Sequence, residues 1–482
     1  MAAPSQTQPL LAGSPPPPQY DAIPVPYAVY QPARQRRRCC GCCSWTCCCV
    51  LFLATLLVFG GLVALVLLWP SPPTVIDGIA DAIPPAFQAK SCLSGQPSTT
   101  IRSYTFALPV YNHTAVVVSR YALARNADAV LGGTLHITTS SSLPADTVHV
   151  IVAPASLGGA TVCSLVPRNE GDTGTAAFGV FATGSARSVN LTLILPAQRL
   201  LRGLQTTLPG FAYDVDDLVG AGVQLRTAFI TGGEKPIAVK SISAEDRLIL
   251  STWNASVSAE YAHSASLDVS TGSIPSLSGT HTNASIHGTF SGTWLRLITA
   301  NSPIDARILP SSSSSSGDGD GDGDARMIVD AYTRNASLAL TVLPSSTPTP
   351  GEEEEPRLHL RLRAITASAP ASVRLPRAYE GTFRLAGDSV RVRLPRGEDA
   401  RKVEFYYEGP AVMEEVGVDG DEEGAVAEIA GDDDEVRGGV ADEVDAEGEG
   451  RVLTGAVYRT DEGIERGWVS VVAERGAARV VL

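Results

Sequence analysis

The chain has 482 residues, enough for two to four domains, with 45 Gly, 33 Pro, 6% aromatic and 18% charged residues. That mix argues against a mainly helical protein and for short strands joined by many turns. The formal charge of −14 offers no broad basic face for nucleic acid, because it comes from one stretch: between Glu414 and Glu449, 16 acidic residues stand against Arg437.

Residues 1–49 read as a disordered, Pro-rich cytoplasmic tail. Within it Pro17, Pro18 and Tyr20 form a PPxY pattern, the polyproline-II type of ligand that docks on a WW-domain groove, with Pro26-Tyr27 close behind. The other reading of this stretch is a flexible spacer. The tail ends in a cluster of Cys39, Cys40, Cys42, Cys43, Cys47, Cys48 and Cys49 beside Arg34, Arg36, Arg37 and Arg38. Cysteines next to basic residues at a bilayer suit S-acylation better than a zinc site, which needs ligand pairs separated by a folded loop. Packing at the membrane interface remains open beside acylation.

Val50–Leu68 is an uninterrupted apolar run, VLFLATLLVFGGLVALVLL. As a helix its 19 residues reach roughly 28 Å, close to the thickness of the hydrocarbon layer. The expectation is a transmembrane helix over residues 50–69, in contact with membrane lipid. Arginines precede the run and the next basic residue after it is Lys90, so the positive-inside rule keeps the N-terminus cytoplasmic and translocates the remainder. This is single-pass type II topology, at the plasma membrane or cell surface.

Residues 70–90 read as a linker, 91–240 as an irregular β-rich region and 241–482 as a repetitive β domain. Five N-glycosylation sequons lie beyond the apolar run, at Asn112, Asn190, Asn254, Asn283 and Asn335. Cys92 and Cys163 are the only cysteines there, available either as a disulfide or as two buried thiols. In the repetitive part, Leu295-Arg296-Leu297-Ile298-Thr299-Ala300-Asn301-Ser302-Pro303 is echoed by Leu362-Arg363-Ala364-Ile365-Thr366-Ala367-Ser368-Ala369-Pro370, and more loosely from Leu267 to Ile274. Each copy reads as strand, tight turn, strand, and stacked copies bury a core that none could bury alone. The expected fold is all-β and β-solenoid-like, with a β-sandwich as the alternative.

Two disordered insertions interrupt the pattern, at 311–324 and 414–449. In the first, Asp318, Asp320, Asp322 and Gly323 open like a calcium loop, but Val329 stands where the twelfth-position Glu is required.

No chemical signature emerges. The seven histidines, His113 to His359, are scattered, and H-E-x-x-H, G-x-S-x-G and P-loop patterns are missing. Arg361, Arg363, Arg391 and Arg393 alternate as on a solvated strand face. The expectation is a non-enzymatic chain without catalytic residues, cofactor or metal.

The L-x-L-x-T-x-N-x-P-I pattern of Leu295–Ile304 resembles the adhesin β-solenoid family. The whole layout, with Pro-rich tail, Cys cluster, anchor and β domain, is similar to fungal single-pass membrane proteins of that kind. The resemblance covers roughly residues 244–482, with Gly at Gly272 and Ser at Ser368 where the family carries Asn. It implies a surface location, binding of cell-wall polysaccharide or a surface protein, and no catalytic residues. The N-terminus alone resembles plant membrane proteins of the late-embryogenesis-abundant type, a likeness that stops at the membrane because no Asn-Pro-Asn follows. The alternative function is a trafficking adaptor that recruits a WW-domain ubiquitin ligase through the PPxY tail.

Overall fold

A computed structural model describes residues 83–94, 103–110, 115–122, 131–153, 160–168, 175–182, 188–272, 284–310, 325–344, 358–394, 402–408, 436–437, 443–459 and 461–482. All belong to one compact unit, Val75–Leu482. The apolar run 50–68, the tail with its PPxY and cysteine motifs, and the insertion 311–324 lie outside the described residues. Among the described residues no helix is long and apolar enough to cross a membrane, and the fold is all-β.

The first nine strands are β1 (Phe87–Ser94), β2 (Tyr104–Pro109), β3 (Ala115–Ala122), β4 (Gly132–Ser140), β5 (Thr147–Val152), β6 (Ala160–Pro167), β7 (Thr175–Ala182), β8 (Ser188–Pro196) and β9 (Leu200–Thr207). They mix two modes of pairing. β1–β6–β7 and β2–β5–β8 are antiparallel, whereas β3 pairs in parallel with β7 and β9, and β4 with β8.

Parallel pairing then takes over. β10 (Phe211–Asp217) joins β4 to β12 (Ile237–Ser251), and β11 (Gln224–Thr231) joins β9 to the same β12. β13 (Val257–Thr271) stacks on β12 along its length. The expected division at residue 240 falls inside β12, which passes through it unbroken.

Beyond β13 each long strand is replaced by two short ones: β14 (Ile286–Gly292) and β15 (Trp294–Thr299), β16 (Ile304–Pro310) and β17 (Ala325–Thr333), β18 (Leu338–Val342) and β19 (Leu358–Thr366), then β20 (Ala371–Arg374). Two parallel ladders result. One runs β13–β15–β17–β19, the other β13–β14–β16–β18–β20. After β21 (Gly381–Arg393), β22 (Lys402–Glu408), β23 (Val436–Arg437) and β24 (Glu443–Tyr458), the final strand β25 (Trp468–Val481) pairs with both β19 and β20, reuniting the ladders.

β21 pairs in parallel with β25, and β24 adds antiparallel to β21. β24 begins inside the acidic run, and its Glu443 and Asp445 stand in register with Arg393 and Arg391. This part of the run is therefore strand. Nearby, Arg466, at the end of a 3-10 turn, donates from Nη1 to Glu380 Oε2 at 2.7 Å, with both side chains largely buried.

The core follows from period-two alternation. Leu267, Leu295, Val329, Leu362 and Val469 form one inward column, and Val269, Leu297, Ala331, Ala364 and Val471 the next. All ten are buried.

The third inward position is polar. Thr252, Thr271, Thr299, Thr333 and Thr366 are all buried at the ends of successive strands. Thr252, Thr271 and Thr299 donate through Oγ1 to the carbonyls of Ala255, Ala284 and Ser302, and Thr366 to that of Ala369 at 2.5 Å. Thr333 also reaches the Ser302 carbonyl, at 3.2 Å. Four of these hydroxyls tie the end of one strand to the turn that starts the next, and that of Thr333 reaches back to the turn of the preceding rung.

Gly272 follows this column with φ of 104°, and a Cβ there would lie 2.9 Å from Ala300 Cβ. It is therefore the neighbour of Ala300, one place before the Asn position that the sequence comparison gave it.

Thr299→Val keeps the shape of the side chain and removes one of two hydroxyls that serve the Ser302 carbonyl. Because Thr333 still serves the carbonyl, the expected loss is about 0.5–1.5 kcal/mol, read as a lower denaturant midpoint with unchanged slope. An unchanged midpoint would mean that the hydroxyl column contributes nothing.

Candidate functional site

The histidines scattered in sequence do not all remain so in the fold. His136 lies on β4, and Asp214 and Asp216 alternate on β10, so all three point away from the core. Parallel register sets His136 directly beside Asp214. His136 Nδ1 is 3.0 Å from Asp214 Oδ2, and Nε2 is 3.1 Å from Asp216 Oδ2. Lys240, on the next strand, donates from Nζ to Asp216 Oδ1 at 2.6 Å.

The result is a four-residue polar network across β4, β10 and β12. It is open to solvent: the Asp214 side chain is 62% exposed, His136 37% and Lys240 56%. Thr134 and Asn190 extend the same face, with Thr134 Oγ1 donating to Asn190 Oδ1 at 3.0 Å. On β13, Tyr261 and His263 stack with ring centroids 6.4 Å apart and planes 6° from parallel.

Electrostatics hold the network in one arrangement. The hydrogen bonds from Lys240 and then Thr138 lower the pKa of Asp216, against the opposing effect of its partial burial. The reciprocal hydrogen bond and charge of Asp216 raise that of Lys240. Asp214, 62% exposed and held by His136, presents its remaining lone pairs to solvent in a set direction. Such a group accepts hydrogen bonds from ligand hydroxyls without reorganising. Among the described residues no group of three or more His, Cys, Asp or Glu has the geometry to hold a metal ion.

The residues singled out from sequence fall as follows. Cys92 and Cys163 face each other across the antiparallel β1–β6 pair and are joined as a disulfide. Asn190 is exposed on β8 and Asn335 is exposed in the turn before β18, while Asn254 is half-buried after β12. Asn335 Nδ2 donates to Asn301 Oδ1 at 2.7 Å, so two successive turns stack Asn on Asn.

Asn112, Asn283, the seven tail cysteines and Pro17, Pro18 and Tyr20 lie outside the described residues. Arg361 and Arg363 project outward, exposed, from β19; Arg393 is exposed and Arg391 half-buried on β21. Val329, at the twelfth position of the calcium-like pattern, is buried in β17.

Sequence reasoning missed His136, Asp214, Asp216 and Lys240. The one local signal was the D-x-D spacing of Asp214 and Asp216, which puts two carboxylates on one strand face. Nothing local showed that β4 pairs with β10.

Because the folded-state pKa of Asp216 is depressed, its contribution to stability is present above the unfolded carboxylate value, about 3.9, and is lost as pH falls through the lower folded value. Lys240→Met removes the first cause of that depression. Carboxyl NMR titration should then show Asp216 protonating at higher pH than in the wild type. An unchanged titration would show that the ion pair does not hold the carboxylate.

No family model, curated protein or solved structure matches this chain.

Proposed function

We propose that this chain is a non-enzymatic, single-pass membrane surface protein whose adhesin-like β-solenoid domain binds cell-wall polysaccharide or partner material. The parallel, in-register ladders support a solenoid over a sandwich, since sandwich sheets are antiparallel. The surface location rests on the apolar run 50–68 with its arginine flank and on the sequons beyond it.

The observation that carries the binding reading is the His136–Asp214–Asp216–Lys240 network with its polar surroundings on an open sheet face. Strands there repeat at about 4.8 Å, so polar groups recur in rows along the stack, a pattern suited to an extended, hydroxyl-rich polymer. The Tyr261–His263 ring pair adds a flat surface for a sugar ring. Grooves with paired carboxylates at a fixed separation would favour a glycosidase, but here each carboxylate is tied to a cation or an imidazole.

Co-sedimentation of the protein with insoluble chitin, β-1,3-glucan and mannan tests the reading. Wild type should pellet with at least one, and Asp214→Ala together with Lys240→Met should weaken that binding by about tenfold, the effect of losing one or two hydrogen-bonding partners. Failure of the wild type to pellet with any of the three would remove the polysaccharide reading.

Glycan mapping tests the location. Exposed Asn335 should carry N-glycan, and half-buried Asn254 should carry less. A chain with no glycan at any site would argue against passage through the secretory pathway.

A further inference from the structure

The two ladders share a core but present very different outer faces. On β14, β16, β18 and β20 the outward side chains include His287, Asp305, Arg307, Thr341, Ser372 and Arg374, an ordinary solvated set. On β15, β17, β19 and β25 they include Trp294, Ile298, Ile328, Tyr332, Ile365 and Trp468. Trp294, Ile328, Tyr332 and Trp468 are 41–43% exposed. Large apolar side chains gathered on one face mark a contact surface.

These residues form outer columns on either side of a charged one. Register gives the first column as Ser266, Trp294, Ile328, Arg361; the middle as Asp268, Arg296, Asp330, Arg363; the third as Ser270, Ile298, Tyr332, Ile365. The middle column alternates in sign, minus, plus, minus, plus.

We infer that this face binds a second copy of the chain, about a two-fold axis lying in the interface plane, parallel to the strands and between β15 and β17. That operation keeps each column opposite its own kind and reverses the order of the strands. Arg296 then faces Asp330 of the other copy, and Asp268 faces Arg363. Trp294 faces Ile328, and Ile298 faces Tyr332.

Every central pair is matched, charge to opposite charge and apolar to apolar, and each contact occurs twice, as an isologous interface requires. Rotation about an axis along the stack would instead set Asp268 on Asp268 and Arg296 on Arg296. One strand further out on each side, Arg247 of β12 faces Trp468 of β25, a cation over an aromatic ring.

The area suffices. Six strands from β12 to β25 at about 4.8 Å, each crossing with about six residues, cover roughly 600 Å² per copy. Both copies together bury roughly 1,200 Å², at the lower bound of stable interfaces. The polar face with His136 is not used, so this inference stands or falls separately from the ligand reading.

Charge reversal tests it on the full-length chain in mild detergent, with mass measured by light scattering. Wild type should be a dimer. Arg296→Asp and Asp330→Arg should each set like charges across the axis and weaken association at least about tenfold. The double variant restores opposite charges and should recover the dimer. Circular dichroism of each single variant distinguishes a lost interface from misfolding, because Arg296 and Asp330 are also neighbours within one copy and Arg296 lies 3.7 Å from Asp268 there. Exposed Ile328→Glu serves as an independent disruptor and should give a folded monomer. A monomeric wild type, a dimer unaffected by Arg296→Asp or Ile328→Glu, or a double variant that stays monomeric would overturn the inference.

Discussion

The buried threonine hydroxyl at each turn is the constraint on which the rest of the stack depends. A parallel strand that ends in the core must reverse with its last backbone groups out of reach of water, and every unpaired group there costs free energy. Threonine meets two needs at once. Its branched Cβ suits the last position of a strand, and its hydroxyl donates to the carbonyl that opens the next strand, as at Thr252, Thr271, Thr299 and Thr366. Because that bond fixes where each new strand starts, it also fixes register. A slip of one residue would turn every outward side chain of the ladder inward.

Register in turn creates the surface. Residues 20 to 80 positions apart in sequence become neighbours because counterparts sit side by side. His136 meets Asp214 across a separation of 78, and Lys240 meets Asp216 across 24. The alternating charges of Asp268, Arg296, Asp330 and Arg363 are likewise a product of stacking, not of any local motif. Neither feature has meaning in a chain whose strands are out of step, and the hydroxyl column underlies the face on β13, β15, β17 and β19.

Much of the fold was legible for this reason, and the illegible part has a physical cause. The copies at Leu295–Pro303 and Leu362–Pro370 kept apolar alternation, Thr and Pro, so they were readable as strand, turn, strand. Two further turns carried the same logic, Thr252-Trp253-Asn254-Ala255-Ser256 and Thr333-Arg334-Asn335-Ala336-Ser337, and went unrecognised as repeats. Their Asn-Ala-Ser tripeptide reads equally well as a glycosylation acceptor. The region before residue 240 hid its parallel strands because long intervals separate the partners and antiparallel hairpins are mixed in. The candidate site was hidden altogether, since pairing of β4 with β10 joins segments about 78 residues apart and leaves no local periodicity.

The acidic run shows how composition can mislead about structure. High charge and abundant Gly normally oppose a packed strand, and on that basis the whole of 414–449 reads as a loop. Yet β24 starts at Glu443, where its acidic residues stand in register with Arg393 and Arg391 of β21. The edge of a parallel stack exposes unpaired backbone groups and would recruit further strands. The antiparallel main chain of β24 satisfies those groups on β21, and β22 pairs in turn with β24. The acidic residues that make this segment read as disordered by itself stand, in the fold, in main-chain register with Arg391 and Arg393.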